Sequence, residues 1–435
     1  MPDSRPHPTP VGHEPLHPDT LMVGLGHDPF QARGAIKMPV YHSSTFAFRS
    51  AEEGAAFFDV AAGRAPAPAD GDGGLVYGRF DHPNLQLVEA RLAALDGAEA
   101  ALVTSCGMAA ISTALFASLR PGEQIVHSRP LYGGTETLIG KLLAGWGVGA
   151  TAFDDGLSQA QMAAALETAA ARGRVGVFYV ETPANPVNTL VDLAAVDAAL
   201  SDFAARHGYR PLSICDNTLL GPLFQQPLRH GIDLVVYSLT KYVGGHSDLL
   251  GGGITGSAEH LRPLRQWRST VGGMLDPQSA WLLARSMETL GLRMRRAAAT
   301  ASAVADWLAS HPHHVIEVLH PEHIDDARYR AVYARQCQGA GSTFSLVLKG
   351  GQPAAFRFIN ALRLFRSAVS LGGSESLVCH PASTTHSGVA PELRARSGVV
   401  DGLVRLSIGL EHEDDLIADL AGALTVALGP GAVVP

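Results

Sequence analysis

From Leu75 to about Leu290, short apolar runs alternate with longer Ala- and Leu-rich amphipathic stretches, and this alternation constrains the fold more than any other feature. An apolar run of about four to eight residues has the length of a buried strand, and an intervening helix returns the chain to start a parallel neighbour. AEAALVTS, GEQIVHS, VGVFYVET, PLSICDN and IDLVVYS read as strands; SQAQMAAALETAAAR and DLAAVDAALSDFAARHG read as helices. The expected class is α/β, with a mostly parallel central sheet in a large domain. After a long helix over GLRMRRAAATASAVADWLASH the character changes. STFSLVLKG, DGLVRLSIGL and a last helix, DDLIADLAGALTVAL, indicate a smaller C-terminal α+β domain. The expected divisions are an N-terminal segment over 1–80, a large domain over 81–288 and the C-terminal domain over 289–435.

Composition narrows the function. At 435 residues, 46% hydrophobic and 17% charged, the chain can bury a large core without staples. A net charge of -8 argues against a nucleic-acid or membrane-surface binder. Cys106, Cys215, Cys337 and Cys379 are far apart with no CxxC pair, so neither a disulfide framework nor a zinc ribbon is expected. Nineteen histidines include no HExxH, and His380 and His386 flank a proline rather than sharing a helix face, so no metal site is expected. The first 20 residues, rich in Pro and His, lack a basic start followed by an apolar core, and no later apolar run is long enough to span a bilayer. A cytoplasmic protein is the expectation.

Four segments place reactive groups where strands end. IDLVVYS delivers the chain to Lys241, and a lysine desolvated at a strand end can act as a covalent amine catalyst. Asp216 closes PLSICD, where a carboxylate can hold a pyridinium N–H. TSCGMAAISTAL starts an Ala-rich helix after a strand, so the backbone at Gly107 and Met108 can bind a phosphate, with hydroxyls from Ser238 and Thr240. Tyr132, after GEQIVHS, can stack on a planar ring and carry a proton. Taken singly, each has a plainer reading: a turn lysine, a helix-capping aspartate, a tight strand-to-helix turn, a rim tyrosine.

Together, SLTKYVGGHSD with DNT upstream, CGMAAI, PLYGGT, ETPANP and SLGGSESLVCHPASTTH resemble the Cys/Met-metabolism family of pyridoxal-phosphate (PLP) enzymes over about residues 35 to 425. The resemblance implies a fold-type I PLP enzyme in which Lys241 is the Schiff-base lysine, Asp216 pairs with the pyridine nitrogen and Tyr132 stacks on the ring. It assigns the phosphate to Gly107, Met108, Ser238 and Thr240, and to Tyr77 and Arg79 of YGRFDHPN reaching from a neighbouring subunit. Residues 1–80 then form an arm toward that subunit, within a homotetramer whose sites are shared across dimers. The family usually has Asn where this chain has His82. By the same resemblance Asn185 lies near the cofactor's phenolic oxygen and the substrate carboxylate, which Arg405 pairs with and Ser370 supports.

The implied reaction is α,γ-elimination from a sulfur amino acid: Lys241 moves the Cα proton and Tyr132 protonates the departing sulfur. Val369 before SLGG, together with HPASTTHS, is similar to methionine γ-lyases, whereas PLYGGT, with Gly134 in place of their cysteine, is similar to the cystathionine enzymes. Arg268 and Ser269 stand where methionine γ-lyases carry a Lys–Asp pair near the pocket. The alternatives are therefore a cystathionine γ-lyase, a cystathionine γ-synthase or O-acylhomoserine γ-replacement enzyme, and, remotely, a silent cofactor-binding interaction protein. GGGITG at 251–256 fits GxGxxG but has no acidic residue about 20 residues on, so it reads as a continuation of the sheet. The irregular stretch at 61–74 is expected to border the substrate entrance.

Overall fold

The computed structural model describes residues 16–65 and 74–429. The segment 1–15 and most of the 61–74 stretch therefore lie outside the described residues. Seven strands form the larger sheet: β1 (Ala100–Thr104), β2 (Gln124–Ser128), β3 (Gly149–Phe153), β4 (Val175–Glu181), β5 (Leu212–Asp216), β6 (Leu234–Ser238) and β7 (Gly252–Gly256), in the order β1-β7-β6-β5-β4-β2-β3. GGGITG is thus strand β7, antiparallel to β1, while the β2–β3, β2–β4 and β4–β5 pairs are parallel. The fold is the mostly parallel α/β arrangement that the apolar runs imply.

The chain divides into two compact units, one of Met1–Ser118, Val236–Gly244 and Leu249–Thr289, the other of Leu119–Val235, Gly245–Asp248 and Leu290–Pro435. Inside the second unit, Val126, Phe178 and Val180 pack with Met162 and Leu166 of the helix Gln159–Ala170 and with Val196, Leu200 and Phe203 of the helix Leu193–His207. These strands read as continuous apolar runs because helices cover them. Ser158 and Asp192 cap the two helices by accepting from N–H groups of the first turn. Gly208 ends the second helix at φ 76°, a backbone conformation that glycine adopts without strain.

The same unit holds a smaller sheet of β8 (Val315–Leu319), β9 (Thr343–Leu348), β10 (Arg366–Ser367), β11 (Leu377–Cys379) and β12 (Leu403–Ser407), in the order β10-β11-β12-β9-β8. Phe344, Leu346, Val404 and Leu406 of its strands pack on the helices Leu290–Ala309 and Glu413–Leu428 through Val304, Leu308, Leu420 and Leu424. Among the described residues no helix is long and apolar enough to cross a membrane, and no group of His, Cys, Asp and Glu is arranged to hold a metal.

Candidate active site

In the first unit, the helix Gly107–Ser118 starts two residues after β1. Its first-turn N–H groups have no partner inside the helix and carry the positive end of its dipole. Cys106 takes up one of them, its Sγ accepting from the Ala109 N–H at 3.3 Å. Gly107 lies so close to the end of β6 that a Cβ there would stand 2.8 Å from Ser238 Cβ and 3.0 Å from Ser238 Cα. Only glycine permits that approach. Beyond Ser238, the Lys241 N–H donates to the Ser238 carbonyl at 3.1 Å. The Thr240 hydroxyl accepts from the Gly251 N–H at 3.0 Å and donates to the Gly251 carbonyl at 3.2 Å, clamping the loop that carries half-buried Lys241.

Tyr77 and Arg79 are exposed, and the Arg79 guanidinium lies 4.8 Å from the Phe80 ring centroid while donating to the Ser269 carbonyl. His82 caps the helix Pro83–Asp96: its Nδ1 accepts from the Leu85 N–H at 3.1 Å and its Nε2 bonds the Leu275 carbonyl at 2.9 Å. A capping role explains how histidine replaces the asparagine expected there, since both offer an acceptor to a helix N-terminus. Arg268, fully buried, donates to Glu89 at 2.7 Å, to the Val103 carbonyl at 2.7 Å and to the Phe80 carbonyl at 3.1 Å. It is therefore an internal bolt between the 77–82 loop and β1.

In the second unit a different set converges. Asp216 ends β5, buried, with Oδ1 accepting from the Thr218 N–H at 3.0 Å and the Thr218 hydroxyl at 2.6 Å, and Oδ2 at 3.5 Å from the Tyr179 hydroxyl. Burial raises its pKa above the usual carboxylate value, against the opposing pull of Thr218. Its register partner on β4 is Glu181, whose pKa burial and the Asp216 charge push well up. The Glu181 carboxylate accepts from the Tyr132 N–H at 2.7 Å and from the Asn185 N–H at 2.9 Å. Half-exposed Tyr132 thereby follows β2 into a fixed turn.

Arg405, 3% exposed on β12, donates through Nη1 to Asn185 Oδ1 at 2.9 Å and through Nη2 to the Ser370 carbonyl at 2.8 Å. Val369, the neighbour of Ser370, is 55% exposed. His386 is also buried; desolvation, with Arg405 nearby, lowers its pKa to about 4, so its imidazole is neutral at physiological pH.

The first unit thus brings Gly107, Ser238, Thr240 and Lys241 together, with Met108 on the same helix start. The second brings Tyr132, Asn185, Ser370 and Arg405 together, with Asp216 beside Tyr179. Glu181, Tyr179 and Thr218 are the structural participants that the sequence did not single out. Glu181 had a signal: a carboxylate closing the apolar run VGVFYV at a strand end, as Asp216 closes another.

A family model described as "Cys/Met metabolism PLP-dependent enzyme" matches residues 19–425. An L-methionine gamma-lyase of Pseudomonas putida is 40% identical over 93% of this chain and 96% of its own length. An O-succinylhomoserine sulfhydrylase of Pseudomonas aeruginosa is 36% identical over 93% of this chain and 94% of its own. The crystal structure of a cystathionine gamma synthase from Xanthomonas oryzae pv. oryzae in complex with cystathionine superposes with a TM-score of 0.84 at 35% identity, covering 95% of this chain and 99% of that one.

Proposed function

The chain belongs to the Cys/Met-metabolism family of PLP-dependent enzymes, and from that premise we propose that it is a carbon–sulfur lyase that eliminates the γ-substituent of L-methionine. Water and methionine go to methanethiol, ammonia and 2-oxobutanoate. The observation that carries this reading is Arg405, buried and held by Asn185 and Ser370 beside the apolar Val369. A buried guanidinium with two fixed partners is suited to an amino acid's carboxylate, and an apolar neighbour suits a thioether methyl better than a second ammonium group.

The residues fit PLP. A buried carboxylate of raised pKa at Asp216 calls for a cationic N–H, and the helix start at Gly107, with Ser238 alongside, offers donors of the kind a phosphate takes. When bound, PLP supplies an electron sink for the charge left at Cα and Cβ. Asp216 holds the ring-nitrogen proton. The Lys241 amine would hold the cofactor by its carbonyl carbon and, as a free amine, would move protons from Cα and Cβ of the substrate. Tyr132 would lie against the ring, and its hydroxyl would deliver a proton to the departing sulfur. Asn185 would orient the phenolic oxygen side, Arg405 and Ser370 would fix the carboxylate, and Gly107, Met108, Ser238 and Thr240 would hold the phosphate.

Exposed Tyr77 and Arg79 complete the phosphate site of a neighbouring subunit, in a cytoplasmic homotetramer built from an arm over 1–80, a domain over 81–288 and another over 289–435. A second reading, γ-replacement on a homoserine ester, is favoured by Gly134 in PLYGGT and by the sulfhydrylase relative. The deciding experiment is release of 2-oxobutanoate and methanethiol from L-methionine by the purified, PLP-loaded protein with no thiol added. Release that disappears in Lys241→Ala supports the lyase; a coloured protein that releases nothing moves the assignment to replacement.

A further inference from the structure

Glu181 is buried, 3% exposed, at the last position of β4. Its two carboxylate oxygens serve two different loops: Oε2 accepts the Tyr132 N–H at 2.7 Å and Oε1 the Asn185 N–H at 2.9 Å. Its own N–H donates to Ser128 Oγ at 3.2 Å, where β2 ends. The Tyr132 turn has little room to move, because a Cβ on the next residue, Gly133, would stand 2.5 Å from the Thr385 carbonyl oxygen.

A carboxylate is an unfavourable choice for this position if the only need is to fill space. Burial disfavours its charge, and Asp216, its register partner, adds repulsion. What a carboxylate offers is an acceptor at each end; glutamine offers one acceptor and one donor, and aspartate is one methylene too short to span the gap. Within the PLP-site reading, on which the inference rests, the two loops so joined carry the ring-stacking tyrosine and the asparagine that accepts from Arg405.

We propose that Glu181 is a positioning residue for the reaction, setting Tyr132 against the cofactor ring and Asn185 against Arg405 by accepting both backbone N–H groups at once. It touches neither substrate nor cofactor. Glu181→Gln turns an N–H₂ against one of the two N–H groups and releases one loop. The holoenzyme of this variant is expected to keep PLP, whose anchor at Lys241 is untouched. It is also expected to lose at least half of the visible circular-dichroism band that reports how the ring is held, and to lose tenfold or more in kcat/KM per bound PLP.

A merely structural carboxylate would lower Tm and leave that band and kcat/KM intact. If Glu181→Gln does not fold, Glu181→Asp, which keeps the charge but reaches only one N–H, is read by the same criteria. A folded variant with wild-type dichroism and wild-type kcat/KM overturns the proposal. The dichroism of the resting holoenzyme separates this inference from the substrate assignment. A wild type inert toward methionine whose band still collapses in Glu181→Gln sinks the assignment and keeps the positioning role, whereas a wild type that binds no PLP sinks both.

Discussion

Ser370 holds φ at 88°, a region that residues other than glycine rarely occupy, and its carbonyl accepts Arg405 Nη2. With Nη1 committed to Asn185, the planar guanidinium is fixed in direction before any ligand arrives. Lysine has a point charge on a flexible stem and cannot hold both partners and a carboxylate. Arg405→Lys is therefore expected to raise KM for the amino-acid substrate about 10- to 100-fold, the equivalent of about 1.5–3 kcal/mol for a charged hydrogen bond, with a smaller change in kcat. Steady-state kinetics check this, and an unchanged KM would count against Arg405 as the carboxylate partner. At this scale Arg405 was legible only by resemblance, as one charge in an apolar strand. The turned backbone at Ser370 was not legible at all, since φ is decided by what the carbonyl must reach.

Elements meet through buried polar groups whose cost shows as pH dependence. Asp96 ends the helix Pro83–Asp96 and accepts from the Tyr237 hydroxyl of β6 at 2.6 Å and from the Thr255 hydroxyl of β7. Burial raises its pKa to about 6, only partly countered by the two hydroxyls. Because the folded state holds this proton more tightly than the unfolded chain does, stability falls as pH rises from about 4 to about 6 and is level above, a loss on the order of 3 kcal/mol. Asp96→Asn removes the titration and can still bond both hydroxyls. Its Tm relative to wild type is expected to rise across that interval and then stay constant; thermal scans at pH 4, 5, 6 and 8 test it, and a flat difference would refute the burial account. Strands and helices themselves were legible from apolar period. A helix-terminal aspartate, by contrast, looks like any solvated residue until its contacts across 141 and 159 residues of sequence are seen.

Over the whole molecule, opposing groups sum. His127, His320 and His386 are buried and neutral, each lowered to about 4 chiefly by desolvation. The folded state refuses protons that the unfolded chain takes up from about pH 6.5 downward, so these residues withdraw stability as pH falls toward 4, opposite in sign to Asp96, Asp216 and Glu181. A difference measurement isolates one contribution. His320, set edge-on to Phe344 at 5.3 Å, is replaced in His320→Leu by an apolar side chain. The variant's Tm relative to wild type is expected to be more favourable at pH 5 than at pH 7, and equal offsets at both would show that His320 is not buried neutral.

The sequence by itself determined the α/β class, most strands of the larger sheet though not β3, and the delivery of Asp216 and Lys241 to strand ends. These follow from local periodicity, which needs no knowledge of distant contacts. Tertiary structure alone decided that Glu181 joins the Tyr132 and Asn185 loops, that Arg268 is a buried bolt to Glu89, and that His82 serves as a cap. The physical reason is that a polar side chain's role is set by the partners that satisfy it once buried, and those partners are remote in sequence.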